Sequence, residues 1–113
     1  MSNGSYETET FETILQDAAK AAATSYGLTI EPNALAAFAT ISRRALRDSS
    51  EAEILRTRRG EIEQNVSRLI RYIATEDPDF DSKSGVITFQ NLNNARAAFC
   101  REHPHAYPIC PYP

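Results

Sequence analysis

All of the chain's cysteines and histidines fall within eleven residues: Cys100, His103, His105 and Cys110. Thiolate sulfur and imidazole nitrogen are zinc ligands, and Cys100 and His103 stand three apart at a helix end, where both face one way. His105 and Cys110 would complete a tetrahedral shell. The spacing, C-x2-H-x-H-x4-C, is not that of a zinc finger, and Pro104 and Pro108 interrupt it. Two other readings compete with it. Cys100 can act as a small buried hydrophobe, or it can be joined to Cys110 in an oxidised preparation. The sequence is read as holding no metal and no cofactor, with these four residues as its candidates for a zinc site.

Arginine is the second residue type that could do chemistry. Ten arginines stand against two lysines, and eight of the ten lie between Arg43 and Arg71 beside five acids. The flanks are acidic, and the whole chain carries a net charge of −3. A planar guanidinium recognises phosphate and carboxylate, but a phosphate-binding face is expected to be freer of acids than this one. Arg58 and Glu61, and Arg59 and Glu63, are at pairing distance along a helix, as on a solvated face. Arg56, Arg58 and Arg59, next to Gly60, where the helix departs from its own pattern, are therefore expected to contact a protein partner. Nucleic-acid binding through 43–71 is the alternative.

Other constellations fall short. Asp77, Asp79 and Asp81 alternate like the first ligands of a calcium loop, but the sixth position is Ser82 and the twelfth Thr88, where glycine and glutamate belong. There is no glycine-rich phosphate loop, and the only histidines lie in a proline-rich tail that would position a general base poorly. The chain is read as non-catalytic. The tail, PHAYPICPYP, sets Tyr107, Ile109 and Tyr112 among four prolines. It suits a ligand for a partner's groove, or a cover for an apolar surface with the tyrosines as anchors; the second is favoured on area.

Helices must position these groups. Ser50–Glu76 carries Leu55, Ile62, Val66, Leu69 and Ile73 on one helical stripe. Ser50 with Glu53 forms a capping box at its start. The stripe keeps phase across Gly60, which predicts one helix there. Before it, Phe11, Ile14, Leu15, Ala18, Ala22 and Tyr26 predict a helix over 10–26, with Gly27 as its left-handed cap. Leu28–Ile30 reads as an extended connector. Pro32 opens a helix over 32–47, with Leu35, Phe38, Ile41, Ala45 and Leu46 inside and Arg43, Arg44 and Arg47 at its C-terminal end. Asp77-Pro78 stops the long helix. Thr88 caps the fourth, over 88–102, which buries Phe89, Leu92, Ala95 and Phe99 with Arg96 at the edge, and Ile87 staples onto Leu92.

The expected architecture is all-α: a compact bundle of four helices with a long central third helix and an extended Pro/Tyr-rich C-terminal tail. Residues 1–9 form a flexible polar arm, 10–103 the bundle and 104–113 the tail. No window approaches a membrane span, and the polar, acidic start lacks the form of a signal peptide. The expectation is a cytoplasmic protein with reduced cysteines, whose sequons at Asn3 and Asn65 are coincidental. Its expected role is to bind another protein, or a copy of itself, as a regulator, inhibitor, immunity factor or assembly subunit.

Overall fold

The long helix predicted from the Leu55–Ile73 stripe runs unbroken from Glu51 to Thr75 in the computed structural model, which describes residues 10–47 and 50–110. It is α3. Before it come α1 (Phe11–Ser25) and α2 (Pro32–Ala45), and after it α4 (Phe89–Glu102). A 3-10 turn, Ser82–Ser84, stands in the loop between α3 and α4. The proposed arm, the Asp48-Ser49 break and Tyr112 lie outside the described residues.

The core forms where α1 packs along α3, its most extensive partner, with α2 and α4 closing the sides. On α3, Ile62, Val66 and Leu69 are fully buried and Ile73 nearly so, facing Phe11 and Leu15 of α1, Phe38 of α2 and Phe99 of α4 across one apolar cluster. Burying each of these side chains contributes about 1.5–3 kcal/mol, which outweighs the weak propensity of a helix with a glycine at its tenth position. The stripe of α3 from Ile62 to Ile73 is thereby buried inside the bundle.

Local signals account for most boundaries. Gly27 adopts φ +74° after α1, the left-handed cap expected of it. Pro32 opens α2, and Thr88 caps α4 in a reciprocal box with Asn91. The Ser50 hydroxyl accepts from the Glu53 N–H at 3.4 Å. The return half of that box is not made, because the Glu53 carboxylate pairs with Arg56. Thr10 and Thr13 form a capping box on α1 that the apolar pattern gave no reason to expect.

Three inward faces are rotated from their expected positions. Ala19 and Ala23 are buried on α1, while Tyr26 is exposed; Ala34 and Ser42 are buried on α2; Ile54 is buried in place of half-exposed Leu55 on α3. The expected Phe89 is also exposed, at 46%. Helix-end side chains and small alanines follow the neighbour they meet, which periodicity does not encode.

The connector Leu28–Ile30 is not a free linker. Thr29–Ile30 pairs in parallel with Val86–Ile87, Thr29 opposite Val86 and Ile30 opposite Ile87. A parallel pair needs a long crossover, here supplied by α2 and α3. Its effect is to bring the first residues of α2 and α4 together. Glu31, just before α2, accepts from the Phe89 N–H at 2.8 Å and so caps the neighbouring helix. Glu51 does the same for α1, accepting from the Phe11 N–H at 2.7 Å.

Candidate functional site

α2 and α4 follow the paired strands Thr29–Ile30 and Val86–Ile87 and pack against each other. Arg44 and Arg101 are each the thirteenth residue of their helix. They lie on one groove of about 560 Å³ together with Arg96, Asn93, Asn94 and Cys100. Asn93, Arg96, Cys100 and Arg101 recur at steps of three, four and one, which keeps them on one side of α4. No aspartate or glutamate lines the groove among the described residues.

Arg96 is the half-buried member of the three. Its Nε–H donates to the Ile109 carbonyl at 2.7 Å, leaving its terminal amino groups as the donors available to the groove. Burial, and then the neighbouring Arg44, work against its charge and lower its pKa. Arg44 and Arg101 sit in the last turns of α2 and α4, where the negative end of the helix dipole offsets part of the repulsion.

The arginines favoured from sequence are placed differently. Arg58 pairs with Glu61 at 2.8 Å and Arg59 with Glu63 at 3.3 Å, as the spacing predicted, and Arg56 pairs with Glu53. The Arg58 guanidinium holds the Glu61 carboxyl below its ordinary pKa. Arg58 also lies 3.9 Å from the centre of the Tyr107 ring, a cation–π contact within the molecule. These three cations are answered by carboxylates on their own helix, whereas among the described residues no ion pair joins Arg44, Arg96 or Arg101 to a carboxylate.

The tail folds back as a cover. Residues 104–110 form successive turns, one of the two courses, extended or turns, that the prolines leave open, with Ile109 N–H donating to the Ala106 carbonyl at 2.8 Å. Ile109 is wholly buried and so presents no surface to a partner in this conformation. Tyr107 is half-buried against Phe11, with ring centres 6.4 Å apart, and the Tyr107–Pro108 peptide is cis. Burial raises the Tyr107 phenol above its ordinary pKa, opposed by Arg58. Beneath the tail, buried Asn65 of α3 donates its side-chain amide to the Tyr107 carbonyl at 2.7 Å.

The expectation of reduced cysteines is overturned. Cys100 and Cys110 are joined in a disulfide with their Cα atoms 5.5 Å apart. Neither sulfur is then a thiolate, which removes two of the four ligands of the zinc shell considered from sequence. His103 lies tilted against Phe99, with ring centres 4.8 Å apart. Among the described residues no three His, Cys, Asp or Glu side chains are grouped to hold a metal. In the acidic loop, Asp77 accepts from the Asp79 N–H at 3.0 Å and Asp81 from the Lys83 N–H at 3.0 Å, so both carboxylates shape turns.

No protein-family model matches the chain, and neither the curated proteins nor the solved structures contain a significant match. Among the described residues no helix is long and apolar enough to cross a membrane.

Proposed function

We propose that this chain is a non-catalytic helical binding domain, a regulator or assembly factor whose partner is a protein presenting an acidic segment. The observation that carries this reading is the groove between α2 and α4, where Arg44, Arg96 and Arg101 converge without an acidic residue lining it among the described residues. Three cations at one depression favour an anionic partner and speed its encounter. The nucleic-acid alternative needs an extended cationic track. It is weakened because Arg56, Arg58 and Arg59, central to the 43–71 segment, are each paired with a glutamate. The disulfide favours an oxidising compartment over the cytoplasm expected from sequence.

The test is retention from nuclease-treated lysate of the producing organism on the immobilised protein, beside a variant carrying Arg44→Glu and Arg101→Glu. The expected result is an acidic protein held by the parent, released by raised salt and lost on charge reversal. Equal retention by parent and variant, or retention abolished by nuclease, would sink the proposal.

A further inference from the structure

The groove carries more positive charge than a single carboxylate would balance, and this bears on what its ligand is, granting the reading above that it is a docking surface. Its three guanidiniums come from two helices, so the convergence is made by the fold and is not a by-product of one helix's solvated face. Arg96 is fixed in place by the tail, since its Nε–H is bonded to the Ile109 carbonyl at 2.7 Å. Little conformational freedom is then lost when its terminal amino groups engage a ligand. Arg44 lies close enough to disfavour the charge on half-buried Arg96. Cations held together in partly dry surroundings repel unless an anion lies between them.

The neutral lining is suited to the same task. The Asn94 side-chain oxygen accepts from the Gln90 amide at 3.3 Å, which leaves the Asn94 NH2 as a donor for the groove. The groove thus offers guanidinium and amide N–H donors, and its charged members are all cationic. A carboxylate has two oxygens and one charge, whereas a phosphoryl group has three oxygens and nearly two charges at neutral pH.

The geometry points to a phosphoryl group as the ligand of this groove: a phosphorylated serine, threonine or tyrosine of the partner, seated between Arg96 and the pair Arg44 and Arg101. Arg96 supplies the pre-set fork, and the two exposed arginines close on the remaining oxygens.

The full chain, with its disulfide intact, is titrated with a glycine–serine heptapeptide carrying one phosphoserine. The same peptide with glutamate or serine at that place serves for comparison. Binding is read from backbone and arginine Nε–H resonances. The phosphopeptide is expected to bind about tenfold or more tighter than the glutamate peptide, in keeping with one added charge-assisted hydrogen bond. Shifts should centre on Arg44 and on residues 93–101. Arg44→Met and Arg101→Met, which leave the tail contacts untouched, should each cut affinity about tenfold with the helical circular dichroism unchanged.

Equal affinity for the phosphoserine and glutamate peptides overturns the inference, as does an affinity that neither arginine variant moves. Shifts of similar size at Arg68 and Arg71 overturn it too, since they would mark unselective ion pairing. The two readings fail separately. A partner retained equally before and after phosphatase treatment overturns the phosphoryl site and leaves the docking surface standing. A phosphopeptide bound selectively while no acidic protein is retained supports the site and removes the docking reading.

Discussion

Asn65, at the middle of the long helix, donates its side-chain amide to the backbone carbonyl of Tyr107 at 2.7 Å, across forty-two residues of chain. It is one of two buried polar residues among the described residues, with 6% of its surface exposed, and that hydrogen bond offsets the cost of burying it. Asn65→Ala leaves the Tyr107 carbonyl without its donor and removes the point where α3 holds the tail. The expected loss is about 1–3 kcal/mol of stability, measured by urea denaturation, with the helical content of the folded state unchanged. An unaltered midpoint would show that the tail does not rest on α3.

The disulfide should anchor the same tail from the other side. Cys100 and Cys110 are ten residues apart, and closing a loop of that size restricts the unfolded chain by about 3 kcal/mol. The denatured, unreduced protein should therefore show no titratable thiol. Reduction, or Cys110→Ser, should lower the melting temperature while α1 to α3 stay folded. Two reactive thiols before reduction, together with a melting temperature indifferent to reductant, would contradict the bond.

What the sequence disclosed and what it hid divide along physical lines. The four helices were legible because each carries its own periodicity and punctuation: Gly27, Pro32, Ser50 and Thr88 mark ends through local chemistry that needs no tertiary partner. The Arg58–Glu61 and Arg59–Glu63 pairs were legible for the same reason, being three and four residues apart on one helix. The Thr29–Val86 pairing was not, because two-residue strands have no period to read. The groove depends on that pairing. Asn93, Arg96 and Arg101 could have been placed on one face of α4 from spacing alone. Arg44 joins them from α2, a helix that starts beside α4 at the paired strands, a neighbourhood no local pattern discloses. Asn65 was hidden differently: an asparagine at a helix's buried edge looks like any polar residue until its acceptor, forty-two residues away, is located.

Gly60 and Gly27 should respond in opposite ways to the same substitution. Gly60 is exposed within α3, and a Cβ there would meet nothing within 4 Å. Gly60→Ala removes a flexible residue from a helix interior and is expected to stabilise by about 0.5–1 kcal/mol. Gly27 has equal space around it, but its φ of +74° disfavours any side chain. Gly27→Ala should destabilise by about 1 kcal/mol, since it forces a residue with a Cβ into the left-handed cap. Thermal melts of the two variants decide both. A destabilised Gly60→Ala would indicate that the continuity of α3 depends on the glycine.

The placement of Tyr107 predicts how the fold responds to alkali. Its phenol is half-buried between Phe11 and the Arg58 guanidinium, and burial, only partly opposed by Arg58, holds its pKa above the ordinary value near 10. A group whose proton is held more tightly in the folded state lends stability that is fully present below its unfolded pKa and fades as pH rises through the folded one. Stability should therefore be level with respect to this group up to about pH 10 and decline above it. Tyr107→Phe retains the ring against Phe11 and Arg58 and removes the ionisation, so the alkaline loss should shrink while the neutral-pH midpoint changes little. The measurement is a set of urea midpoints between pH 8 and 11.5, with phenolate absorbance followed in parallel. Should the Tyr107→Phe protein lose stability with pH as steeply as the parent, the tail's tyrosine does not govern the alkaline limit and its packing beneath Arg58 is looser than the contacts imply.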